Sequence, residues 1–277
     1  MPGDWGLAKL AQIRGNVVIA YVGVIEDSAI RVLYECLRSC SDINHLDLVL
    51  ISNGGLGTAA HRIGHLLHEY TDHLTILIPY KARSAGTLLS LAATEIIMGP
   101  LGELSPLDGI FRHAVKASGN MPVQVSAEDI HAIRDIAENW FGVVPAERLD
   151  VFRVVAQHFF PTTLGNFYRA DKLVRHMASD LISYQLGQLS DNEQQALIDH
   201  LVRGYHNHDY PITRREAKTI GLNVLSASAD IEAVIWEILT GSQAHIDMMR
   251  ENNKFVTGLV LGKQFMAQHI QAVSPAK

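Results

Sequence analysis

Four apolar runs, each followed by a turn and, for the first three, by a helical pattern, leave this chain few architectures. Residues 16–25 (NVVIAYVGVI), 46–52 (LDLVLIS), 74–80 (LTILIPY) and 95–99 (EIIMG) are continuous apolar stretches rich in β-branched side chains. Such runs predict strands buried on both faces. Between them, residues 29–39, 58–70 and 88–94 carry helical spacing, with Ile30, Leu33, Tyr34 and Leu37 on one face of the first helix. Strand, helix, strand at this interval predicts crossover units and a mostly parallel α/β sheet. The 48% hydrophobic content suffices for a core, and charged residues at 19% with a net charge of −6 argue against disorder and against nucleic-acid binding by bulk charge. The longest apolar run, 17–25, is too short to span a bilayer. The first ten residues hold Asp4 and Lys9 and show no secretion signal. Cys36 and Cys40 sit one helical turn apart without further cysteines, so they read as helix thiols in a reducing compartment. The expected location is cytoplasmic.

After Pro100 the pattern changes. Residues 101–108 read as a loop and 112–122 are weakly patterned. Ser126 opens a helix to Trp140, and three more helical stretches follow at 146–159, 164–186 and 191–203. Residues 205–212 read as a short strand or extended loop. Thr213 caps a helix that ends at Gly221, and 231–239 forms the last core helix. The expected organisation is one domain over 1–241, with a helical addition at about 126–203, and a C-terminal tail over 242–277.

The chemistry concentrates in two turns. Ser84 stands between a strand and a helix, followed by Ala85 and Gly86. A serine there is either a helix N-cap or a nucleophile beside helix N-terminal amides. Asn53-Gly54-Gly55 lies at the matching junction one crossover unit earlier. Its glycines lack the Lys-Ser/Thr of a phosphate loop and give only half of a dinucleotide fingerprint, so an oxyanion hole fits better. Adjacent parallel strands place both turns on the carboxyl edge of the sheet. His61, His65 and His68 share one helical face, a spacing that could hold a metal, but no fourth ligand is evident and a polar helix face is the expected role. Arg214, Arg215 and Lys218 read as a solvated basic face. No cofactor and no metal are expected.

Four motifs in order resemble the serine dehydrogenase proteinase family, of the Clp-peptidase/crotonase fold and related to signal peptide peptidase A. They are Ser52-Asn53-Gly54-Gly55, Ala82-Arg83-Ser84-Ala85-Gly86-Thr87, Thr94-Glu95-Ile96-Ile97-Met98-Gly99 and Ser105-Pro106-Leu107-Asp108, with His208-Asp209-Tyr210-Pro211-Ile212 and Glu216-Ala217 matching a late segment. Asn53 replaces a proline, Arg83 a lysine, and Gly109-Ile110 the usual Pro-Gln. The resemblance implies a serine peptidase with nucleophile Ser84 and an oxyanion site at Gly54, Gly55 and Ala85. A serine hydroxyl needs a base. Clp peptidases place their triad His close to position 108 and their triad Asp at position 209; with the two exchanged, Ser84-His208-Asp108 is the first arrangement, His113 with Asp209 the second, and Lys116 as a lone base, in the style of signal peptide peptidase A, the third. A peptide or protein substrate and a homo-oligomer, ring or dimer-based, are the implied partners, with neither nucleic acid nor a membrane span. An inactive scaffold and a crotonase-type acyl-CoA enzyme are the rival readings.

Overall fold

The computed structural model describes residues 5–40, 43–107, 113–116, 122–125, 127–158, 161–251, 256–262 and 265–270. Helix α1 (Leu7–Arg14) leads into β1 (Val17–Gly23). Then α2 (Asp27–Arg38), β2 (Leu46–Ile51), α3 (Gly57–His68), β3 (Leu74–Ile78), α4 (Ala85–Ser90) and β4 (Glu95–Met98) alternate as the periodicity predicts. Short β5 (Glu103–Leu104) is followed by the pair β6 (His113–Lys116) and β7 (Pro122–Val125). The helical addition is α5 (Ala127–Asn139), α6 (Arg148–His158), α7 (Pro161–Leu186) and α8 (Asp191–Arg203). Then come β8 (Ile212–Thr213), α9 (Arg214–Thr219), β9 (Val224–Ser226), α10 (Ala229–Glu251), β10 (Val256–Gly262) and β11 (Phe265–Ile270).

The main sheet runs β11-β10-β1-β2-β3-β4-β9. Strands β1, β2, β3, β4 and β9 pair in parallel, and β10 and β11 add an antiparallel ribbon. Residues from 242 on, expected as a tail, thus include the last turns of α10 and two strands of the sheet. Alternate side chains serve two cores. Ile19, Tyr21, Leu48, Leu50, Ile76, Ile78, Ile96 and Met98 pack beneath α2, α3, α4, α7 and α8. Val18, Ala20, Val22, Val49, Ile51, Leu77 and Ile97 face Leu7 and Leu10 of α1 and Val234, Ile235 and Ile238 of α10. Both faces are covered, which is why the strands read as unbroken apolar runs rather than alternating ones. Cys36 is buried in the first core and Cys40 half-buried at the end of α2, both as free thiols. No helix among the described residues is long and apolar enough to cross a membrane.

Helix α7 docks where small residues make room. A Cβ on Gly64 would stand 2.8 Å from a Leu181 methyl, and one on Gly57 3.2 Å from the Met177 methyl. Buried Gln185 donates to the Ala93 carbonyl at 3.1 Å and accepts from the Asn223 amide at 3.0 Å. On the outer side of the addition, Trp140 and Phe141 are 79% and 77% exposed.

Among the described residues two carboxylates are buried, Asp47 and Asp171. Asp47 is fully buried on β2 and receives Arg14 in bidentate fashion at 2.8 and 3.1 Å, with Asn16 Nδ2 at 3.0 Å. Removing one partner of such a pair strands the other. We predict that Arg14→Met costs about 3–5 kcal/mol in chemical denaturation. Combining it with Asp47→Leu recovers most of the loss. A single-variant loss below about 1 kcal/mol would show the pair to be dispensable.

Candidate active site

The two turns expected to meet do meet. Strand β3 continues past Pro79, and Ala82 bridges Ser52 in parallel, with Ser52 N–H donating to Lys81 O at 2.7 Å and Arg83 N–H to Ser52 O at 3.0 Å. Parallel pairing between β2 and β3 is therefore carried beyond both strands, with the register shifted by two residues, into the turns themselves.

Ser84 follows with φ 51° and ψ −112°, and its side chain makes no cap bond to α4. A serine capping a helix holds an extended backbone. A serine in a left-handed conformation at a strand-to-helix junction is instead thrust out over the sheet edge. Such a backbone costs on the order of 1–3 kcal/mol and persists only where its surroundings enforce it. Here they do. Ser84 N–H donates to Ser105 Oγ at 2.7 Å, Ser105 N–H donates to Thr87 Oγ1 at 2.9 Å, and Thr87 Oγ1 donates to Ala82 O at 2.9 Å. Ser105 and Thr87 are fully buried. This hydroxyl relay clamps the residues on both sides of Ser84.

The glycine turn supplies the opposite wall. A Cβ on Gly54 would lie 2.9 Å from Ser84 Cβ and 3.4 Å from Ser84 Oγ, so only glycine lets the two turns touch. Gly54 spends its own N–H on Ser52 Oγ at 3.0 Å and its carbonyl on Ile25 N–H at 2.9 Å. A Cβ on Gly55 would lie 2.1 Å from Ile25 O, so that residue too is held to glycine. The amides of Gly55 and Ala85 donate to no acceptor among the described residues. Gly54 thus shapes the turn, while Gly55 and Ala85 keep a donor each beside Ser84.

The late segment returns to this edge. β8 pairs with β5, Ile212 opposite Leu104 and Thr213 opposite Glu103. Arg83 donates to the Asp209 carbonyl at 2.5 Å and pairs with its carboxylate at 3.3 Å, with Glu103 at 3.8 Å. His208, half-buried, stands one residue earlier on the same turn. Tyr210 hydrogen-bonds Glu216 at 3.3 Å, and that carboxylate pushes the phenol up. Asp209 therefore meets Arg83, and the Ser84 hydroxyl has no hydrogen-bond partner among the described residues. His113 and Lys116 lie at the two ends of β6. Asp108 lies outside the described residues. The expected set is thus brought together in part: Ser84, Gly54, Gly55 and Ala85 at one point, His208 and Asp209 on the turn tied to Arg83. Sequence reasoning passed over Ser52, Thr87 and Ser105, whose buried hydroxyls hold both turns. The one signal for Ser105 is its place inside the Ser105-Pro106-Leu107-Asp108 motif.

The hydroxyl relay is testable. Ser105→Ala removes the acceptor of a buried amide and should cost about 1–3 kcal/mol of stability. It should lower turnover of any Ser84-dependent reaction without unfolding the chain. Unaltered stability and turnover together would show that Ser105 does not set the Ser84 backbone.

Residues 13–134 match the family described as ClpP-like SDH-type serine proteinase. That span runs from the end of α1 into α5 and includes both turns. Two uncharacterized proteins of Methanocaldococcus jannaschii are similar to the chain. One is 23% identical over 241 residues, 84% of this chain and 71% of the relative. The other is 26% identical over 205 residues, 72% of this chain and 59% of the relative, so the chain spans under two thirds of that second protein. Among solved structures, two mutants of 1510-N membrane-bound stomatin-specific protease share 14% identity over 82% of this chain. They are covered to 84% and 80%, with TM-scores of 0.46 and 0.44.

Proposed function

We propose that this chain, whose residues 13–134 match the family described as ClpP-like SDH-type serine proteinase, hydrolyses peptide bonds with Ser84 as its nucleophile. The observation that carries this reading is the left-handed Ser84, its hydroxyl uncommitted, standing over Gly54 beside the unspent amides of Gly55 and Ala85. Ser84 Oγ attacks the scissile carbonyl carbon and its proton passes to the base. The oxyanion that forms takes hydrogen bonds from Gly55 and Ala85, each donor contributing about 3–4 kcal/mol in sites of this kind. Collapse breaks the C–N bond, and the base returns the proton to the leaving amine. Water, deprotonated by the same base, then releases the acyl group.

His208 is the base we favour, oriented by Asp108. What supports it is the tether of its turn to the nucleophile's edge through Arg83 and Asp209. The engagement of Asp209 by Arg83 weighs against the second arrangement, in which Asp209 orients His113. A homo-oligomer is the form we propose, with copies of this chain covering apolar side chains such as Trp140 and Phe141. Active-site labelling and native mass test these points together. A fluorophosphonate should label Ser84, and Ser84→Ala should lose labelling and at least about 10⁴-fold in peptidase kcat while keeping the native mass of wild type. His208→Ala should lose labelling as well. Loss on His113→Ala with retention on His208→Ala would move the base to His113. Full hydrolysis by Ser84→Ala would refute the mechanism. An unlabelled wild type of unchanged assembly would mark an inactive scaffold.

A further inference from the structure

The histidines of α3 acquire in the fold what the sequence lacked. His61 and His65, at i and i+4, point from α3 toward α7, and α7 answers with Asp180. His61 Nε2 lies 3.1 Å from Asp180 Oδ2 and 3.1 Å from His65 Nε2, and the three donor atoms all fall within 4.8 Å of one another. His176, one turn before Asp180, brings its Nε2 to 3.6 Å from the same carboxylate oxygen. His68 is not of this set, because its Nε2 bonds Ala92 O at 2.7 Å and its ring stacks on Tyr184.

Hydrogen bonding leaves this cluster short of protons. His65 Nδ1 is 3.0 Å from Tyr184 OH. With the Nδ1 proton given to that oxygen, His65 Nε2 turns a lone pair inward, the arrangement that outer partners impose on metal-binding histidines. A proton on His61 Nε2 can lie in line with the carboxylate or with His65, but not with both. Two of the three donor separations are 3.1 Å and the third is within 4.8 Å, close enough for the three atoms to turn onto one cation at about 2.0–2.2 Å. The helices are brought this close beside the cluster by Gly64, against which Leu181 packs. The side chains of His61 and Asp180 are 23% and 35% exposed, so an ion has a path in.

We propose that His61, His65 and Asp180 bind a divalent transition-metal cation, zinc by the chemistry of two imidazoles and a carboxylate, which staples α7 to α3. His176 or water completes the tetrahedron. The site stands apart from Ser84, and its role is to fasten the helix that braces α3 and α4.

The test uses the full chain, stripped with a chelator and titrated with zinc chloride by calorimetry, with melting followed in parallel. One equivalent per chain and a rise in Tm are expected. Cobalt in its place should give the visible bands of a tetrahedral site. His61→Ala and Asp180→Asn should each weaken zinc binding by at least about tenfold and lose the shift in Tm, while Ser84→Ala binds as wild type does. Asp180→Asn preserves size and decides the matter if His61→Ala fails to fold. No stoichiometric binding by the stripped wild type, or binding undiminished in Asp180→Asn, would overturn the proposal.

Discussion

The fit of Gly54 against Ser84 is the contact on which the rest depends. A side chain at position 54 would collide with Ser84 Cβ and with the Arg83 carbonyl. Bringing two turns into contact requires that β2 and β3 be parallel neighbours, and that their pairing continue past both strand ends, as the Ser52–Ala82 bridge makes it do with a two-residue shift of register. It also requires that Ser84 hold a backbone that an unconstrained serine leaves. Hydrogen bonds to neutral buried groups contribute about 1 kcal/mol each. The chain of hydroxyls through Ser105 and Thr87 is therefore of the size needed to offset the strain. Function at this edge rests on a few such bonds rather than on the bulk of the core.

Helix α7 gives those bonds a firm foundation. It meets α3 at Gly57 and Gly64, the helix that leaves the glycine turn. Leu181 shares the first core with Ala92, just past α4, and Gln185 ties Ala93 to Asn223 beside β9. One long helix thus leans on the elements behind both turns, so relative movement of the turns would have to disturb it. The helical addition packs α7 and α8 against the sheet and presents α5 and α6 outward.

The parallel core was legible because each of its strands is buried on both faces, and such burial writes an unbroken apolar run into the sequence. The two turns were legible because glycine and small residues at a strand end have few other reasons to recur. Strand β9 was missed: three residues, two of them exposed, take their conformation from β4 rather than from any local preference. The ribbon of β10 and β11 escaped notice for a like reason, its glycines at 258 and 262 weakening the strand pattern. The approach of Asp180 to His61 joins residues 119 apart, a relation that spacing along one helix does not encode. Ser105 carries no periodic signal at all. Its importance lies in one accepted proton from an amide 21 residues away.

The C-terminal ribbon carries a kinetic consequence. Strand β1 leaves the ribosome well before its outer neighbour β10, with which it pairs Ala20 to Leu261. During synthesis that flank of the sheet is an open row of amides and carbonyls, the kind of edge that recruits strands from other chains. Closing it requires a contact between segments far apart in the chain, a slow class to form. The α/β core through β4 can assemble early, while this flank is sealed only once β10 has been made. Aggregation of nascent or truncated chains should therefore begin at β1.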